Sequence, residues 1–87
     1  MRSYLITFKS KNKNQIIKHI SSFPGYAKIK KDVWIVKTKL VHKELRDNFK
    51  SLLDEGEDLL FVIDVTGQAW AATNIPHNVP NWLKEEL

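Results

Sequence analysis

Two stretches of helical hydrophobic period are set among stretches of strand period in this 87-residue chain, in the order β-α-β-β-α-β. No other feature narrows the fold as far, because a period of 2 and a period of 3.6 cannot exchange roles. Residues 3–8 (Ser-Tyr-Leu-Ile-Thr-Phe) are rich in β-branched and aromatic types and read as a first strand. Ile16, Ile17, Ile20 and Phe23 then recur at helical spacing over 12–22. Ser10 or Asn12 can cap that helix, and Pro24-Gly25 ends it. Residues 26–30 and 33–38 form a hairpin around Lys31-Asp32. A two-residue loop sets Lys30 opposite Val33, Lys28 opposite Ile35 and Tyr26 opposite Lys37, so Tyr26, Val33 and Ile35 share a face. Leu45, Phe49, Leu52 and Leu53 give a second helix, over 42–54, one apolar stripe. Val41 is a poor N-cap for it, although Glu44 suits the first turn. Residues 59–65 are a nearly continuous apolar strand, and Pro80 opens a short last helix with Asn78 as its cap.

The class this predicts is α+β. The order matches a ferredoxin-like βαββαβ sandwich with an antiparallel sheet in the order 4-1-3-2, plus a short C-terminal helix. The chain reads as one domain, 1–87, whose C-terminal extension is 67–87. A chain of this length buries about 60–65% of its unfolded surface, so its core is small. The strands are nonetheless apolar on both faces. Tyr4, Ile6 and Phe8 oppose Leu5 in the first strand, and Leu59, Phe61, Ile63 and Val65 oppose Leu60 and Val62 in the last. Two helices cover only one side of a four-stranded sheet, and an open apolar face is unusual on a monomer. A second copy or a C-terminal element is therefore expected on the other face. An isologous homodimer through Tyr26, Val33 and Ile35 is the favoured arrangement.

Much catalytic chemistry is excluded. The chain has no cysteine, which removes disulfides, thiolate zinc and thiol catalysis, and suits a cytoplasmic location. No signal peptide is expected from the start Met-Arg-Ser-Tyr-Leu-Ile-Thr-Phe, and no apolar run reaches the ~20 residues of a membrane span. His19, His42 and His77 are scattered and lie in no metal-ligand pattern, so no metal or other cofactor is expected. Ser21, Ser22 and Ser51 lack a nucleophile elbow, and the three glycines sit singly. Trp34, Trp70 and Trp82 read as packing residues, with Trp70 the best placed of the three to stack on a base. Asp64 is the one acid inside a predicted strand. Antiparallel pairing sets it near Arg2, which makes it an ion-pair partner rather than a metal ligand.

The charge is lopsided. Residues 1–43 hold eleven Lys/Arg and one acid, a net of +10, whereas residues 44–87 hold three Lys/Arg and nine acids, a net of −6. Such asymmetry points to a polyanion partner. Lys9, Lys11 and Lys13 surround the end of the first strand; Lys28, Lys30 and Lys31 line the hairpin; Lys37 and Lys39 end the third strand. In the 4-1-3-2 order the Lys30-Lys31 turn falls at the same end of the sheet as Lys9 to Lys13. These eight lysines are the candidate nucleic-acid-binding set. Binding through them would be salt-sensitive and indifferent to sequence, since no base-reading motif accompanies them. The competing reading is that lysines on an edge strand merely block aggregation.

Tyr4-Leu5-Ile6-Thr7-Phe8, then Lys28 to Thr38 (KIKKDVWIVKT), then Leu60 to Gly67 (LFVIDVTG) resemble the small CRISPR-associated Cas-two family and its SinR-like and VapD-like relatives. The SinR-like branch is the most similar, on LFVIDVTG and the later WLKEEL. The resemblance spans nearly the whole chain. It implies a sheet-to-sheet homodimer associated with nucleic acid. In that family an acid commonly ends the first strand as the proposed metal ligand for phosphodiester hydrolysis. Here Lys9 follows Phe8, and an ammonium repels Mg²⁺. The reading is a nucleic-acid-binding homodimer with no catalytic residues. The alternatives are a VapD-like endoribonuclease toxin and a protein-interaction module on a larger nucleoprotein assembly, the latter using the acidic half and its tryptophans.

Overall fold

A computed structural model describes residues 1–73 and 79–86 of the chain. The elements run β1 (Arg2–Lys9), α1 (Lys13–Ile20), β2 (Gly25–Lys30), β3 (Val33–Thr38), α2 (His42–Phe49), β4 (Leu59–Asp64) and α3 (Val79–Glu86). The strands form one antiparallel sheet in the order β2-β3-β1-β4, which makes the molecule α+β. α2 stops at Phe49, earlier than its stripe suggests. A 3-10 turn over Lys50–Leu52 carries the chain on toward β4. The N-cap Asn78 expected for α3 lies outside the described residues.

One sheet face holds the main core. Tyr4, Ile6 and Phe8 of β1 and Trp34 and Val36 of β3 meet Ile16 and Ile20 of α1 and Leu45 and Phe49 of α2. Each set follows its own period, 2 in the strands and 3 to 4 in the helices, so burying one face selects these residues. Val41 offers α2 no side-chain acceptor. The Glu44 carboxylate instead accepts the Val41 N–H at 3.1 Å, which satisfies half of a capping box.

The hairpin departs from simple two-residue pairing. Lys30 opposes Val33 as expected, but Lys28 opposes Trp34, Ala27 opposes Ile35 and Tyr26 opposes Val36, with the irregularity between Lys28 and Lys30. A bulge there inserts one residue, and a slip of one residue turns every preceding side chain to the other face. Tyr26 is thereby placed on the helix side, its ring centroid 6.3 Å from that of Trp34. Ile35 points the opposite way.

The second sheet face is half covered. Val79 and Leu83 of α3 pack on Ala27 and Ile35, with Ile29 and Trp82 at the margin. Of the two covers expected for this face, the C-terminal element accounts for the β2–β3 half. A Cβ at Gly25 would meet Trp82 Cζ2 of α3 at 3.5 Å, an ordinary contact, and Lys37 Cβ on the neighbouring strand at 3.2 Å, a tight one. The β1–β4 half is bare: Leu59, Phe61 and Ile63 are 65%, 59% and 46% exposed.

Candidate nucleic-acid interface

β1 ends beside the β2–β3 turn because β1 and β3 run antiparallel from Arg2 opposite Thr38 to Thr7 opposite Val33. The Phe8 N–H donates to the Asp32 carbonyl at 3.2 Å and ties the turn to the strand end. α1 starts four residues after β1 ends. These constraints bring Lys9, Lys13 and Lys31 to the rim of one shallow pocket of about 220 Å³, with Phe8, Ser10 and Asp32. Lys30 lies 3.7 Å from Asp32 as an exposed ion pair, which offsets part of the charge.

The electrostatics of this corner are those of a cation cluster. The Lys13 ammonium is held below the usual lysine range, first by burial and then by the neighbouring Lys31, with Lys28 adding to the effect and Asp32 opposing it. Like charges held together disfavour their own protonated form, and an anion placed among them relieves that cost. Ammonium groups act as point donors to the oxygens of an anion.

The loop under Lys11 is built rather than slack. Ser10 Oγ donates to Asp58 Oδ2 at 2.6 Å and accepts the Asn12 N–H at 2.9 Å. Asp58 also accepts the Asp54 N–H at 2.9 Å, and its carboxyl is held below the usual range chiefly by the Ser10 hydrogen bond. The start of α1 is thus fixed from both sides.

Not all eight candidate lysines gather here. Lys9, Lys11, Lys13, Lys30 and Lys31 occupy this end of the sheet, and Lys28 is close enough to act on Lys13. Lys37 pairs with Gly25 and Ser3 at the opposite end, and Lys39 follows it. Of the three residues expected to share a dimer face, Val33 and Ile35 do lie on the same face, Val33 half-buried and Ile35 buried beneath α3, whereas the bulge in β2 turns Tyr26 to the helix side. Leu59, Phe61 and Ile63 are the exposed apolar residues instead. Their alternation was readable; that α3 would cover β2–β3 and leave them bare was not.

The remaining candidates have structural surroundings. Arg2 Nε donates to Asp64 Oδ2, as antiparallel pairing predicts, and the Asp64 carboxyl is lowered to about 2 by Arg2 first and by the Thr66 backbone and hydroxyl next. His19 lies edge-on between Phe23 and Phe49, and its Nε2 is 2.5 Å from Asn48 Oδ1. The Ser21 and Ser22 hydroxyls donate to the Ile17 and His19 carbonyls at the end of α1. His42 and Trp70 are exposed, and His77 lies outside the described residues. Among the described residues no three His, Asp or Glu side chains gather as a metal site, and no helix is long and apolar enough to cross a membrane.

No protein-family model matches this chain, and no curated protein or solved structure matches it significantly.

Proposed function

We propose that the chain is a cytoplasmic, homodimeric nucleic-acid-binding protein of the Cas-two/SinR-like kind, built on a ferredoxin-like sandwich and without metal-dependent nuclease activity. The observation that carries this reading is the convergence of Lys9, Lys13 and Lys31 on one pocket at the end of the sheet. Lys11, Lys28 and Lys30 extend the patch along the loop and the second strand. The role follows from the chemistry. Ammonium groups on a rigid sheet end neutralise backbone phosphates and release counterions, which gives affinity without reading bases. Lys9 stands where a metal-binding acid would be needed, and its charge repels a divalent cation from that position.

The test is a binding assay with duplex DNA, duplex RNA and single-stranded RNA across a salt series, run beside a nuclease assay with and without divalent metal. Engagement of about five phosphates predicts an affinity loss on the order of 10²–10³-fold between ~50 and ~200 mM salt. Absence of binding at low salt would overturn the reading. Cleavage of RNA would overturn its non-enzymatic part.

A further inference from the structure

A second pocket adjoins the lysine pocket. Its volume is about 400 Å³, and Thr7, Lys9, Asp32, Leu59 and Phe61 are among its walls. That size falls within the ~300–1,000 Å³ of small-molecule clefts. The register explains its place. Thr7 of β1 lies opposite Phe61 of β4, and Lys9 lies opposite Leu59, so these four side chains rise from one face. Ile6 and Phe8, alternating with them, pack in the main core on the helix side. Leu60 and Val62 pack against that core as well, whereas Phe61 is more than half exposed.

Phe8, Lys9 and Asp32 belong to both pockets. The two differ in character. The smaller sets Lys9, Lys13 and Lys31 against one carboxylate. The larger has one ammonium, one carboxylate, two leucines and the open Phe61 ring. Charge therefore decides which end of a ligand each would take: the anionic end enters the smaller pocket, and a flat, uncharged end lies in the larger.

We propose that the two pockets together hold one unpaired nucleotide, with its phosphate among Lys9, Lys13 and Lys31 and its base stacked on the ring of Phe61. This site rests on the lysine reading above and adds to it the form of nucleic acid and a residue that selects that form. A nucleotide carries its charge at one end and a flat π surface at the other, one sugar apart. Lys9 and Phe61 are diagonal neighbours across β1 and β4, roughly 7 Å apart along the face, a separation that a long side chain and a ring both reach across.

Stacking on an aromatic face tolerates any base, which agrees with the want of a base-reading motif in the sequence. It does not tolerate pairing. A base inside a duplex has both faces covered by its neighbours and must leave the stack before it can lie on another ring. A single strand and a free nucleotide meet no such cost. The lysines alone attract either form of nucleic acid through its phosphates, so Phe61 is the element that tells an unpaired nucleotide from a paired one. An aliphatic anion would fill the apolar pocket without using the flatness of the ring, and the substitutions below separate the two.

The experiment is fluorescence anisotropy on the full chain with a short labelled single-stranded RNA and with the duplex of the same sequence. The variants are Phe61→Ala, Phe61→Leu and Phe61→Tyr, whose circular dichroism should match wild type because Phe61 is more than half exposed. Phe61→Ala should weaken single-strand binding by about 5- to 100-fold, leaving its salt slope and the duplex affinity unchanged. Phe61→Tyr keeps the ring and should bind as wild type. Phe61→Leu keeps apolar volume without the flat face and should fall between Phe61→Ala and wild type. A Phe61→Leu that binds the single strand as wild type does, or a Phe61→Ala that weakens duplex and single strand alike, overturns the site. Competition gives the second arm. Adenosine monophosphate should displace the strand at lower concentration than ribose 5-phosphate or inorganic phosphate, and equal displacement by ribose 5-phosphate overturns the stacked base. Displacement by adenosine monophosphate as effective as by the unlabelled strand assigns the site to a free nucleotide, and weaker displacement assigns it to the strand. Salt-sensitive binding that ignores every change at Phe61 would sink this site and leave the lysine reading standing. Binding of adenosine monophosphate by a chain that holds no polymer at low salt would do the reverse.

Discussion

Arg2 and Asp64 join the first strand to the last: the guanidinium Nε donates to Oδ2, while Oδ1 accepts the Thr66 N–H at 3.0 Å. Around this pair, Ser3 N–H donates to the Thr66 hydroxyl at 2.8 Å and Val65 N–H to the Ser3 carbonyl at 2.9 Å. The end of β4 is latched to the start of β1 by side chain and backbone together.

Acid should therefore loosen this end of the sheet. The Asp64 carboxyl is lowered to about 2, so its contribution is complete above the ordinary carboxylate range and fades as pH falls from about 4 toward 2. The pair is largely in water, and solvent screening keeps the effect small. Urea unfolding at pH 7 and at acid pH is the measurement. Asp64→Asn should be weaker than wild type at pH 7 and should close the gap near pH 2. A constant difference between the two would contradict the assignment.

The two ends of the sheet should answer differently to charge. Lys31→Ala and Lys13→Ala are each expected to reduce the salt slope of nucleic-acid binding by about 1. Lys39→Ala, at the far end, should leave the slope unchanged. Equal effects at all three positions would mean diffuse attraction instead of a defined surface.

Tyr4 tests the core from its one polar atom. The ring is buried, and its hydroxyl donates to the Leu40 carbonyl at 2.8 Å, which ties the loop after β3 to the sheet. Burial raises the Tyr4 hydroxyl above the usual phenol range, so it remains a donor at neutral pH. Tyr4→Phe should cost about 1 kcal/mol in unfolding free energy. An unchanged denaturation midpoint would show that the bond adds nothing net.

Gly25 sits between Lys37 and Trp82 of α3, with room for little more than a Cβ. Two further methyl groups on a Cβ already 3.2 Å from Lys37 Cβ have no room under Trp82. Gly25→Val should lift α3 from Ala27 and Ile35, at a cost of about 1–3 kcal/mol. Increased hydrogen exchange or proteolysis confined to the C-terminal segment would report it. A fully protected α3 in the variant would refute this packing.

How much was readable beforehand depended on whether a local rule or a distant contact decided the outcome. The two helices and four strands followed from the spacing of residues such as Ile16, Ile20, Leu45 and Phe49, where period and burial agree. The Arg2–Asp64 pair followed from strand direction alone. So did the meeting of Lys9 and Lys13 with Lys31, because antiparallel pairing fixes which ends coincide. The hairpin register failed at Ile29. A bulge leaves no mark on the alternation of Tyr26, Lys28 and Lys30, and it moved Tyr26 away from Val33 and Ile35. A C-terminal element was one of the two covers expected for the second face, but which residues it would cover was not legible: contacts of Val79 and Leu83 with Ile35, across more than forty residues of chain, are set by packing rather than by pattern.

The sequence Leu-Leu-Phe-Val-Ile at the edge of the sheet also bears on the fate of a solitary chain. A six-residue strand with an open ladder and little charge is a template for cross-β growth. With Leu59, Phe61 and Ile63 exposed beside that open ladder, the β4 edge is where insoluble assembly would nucleate at high protein concentration.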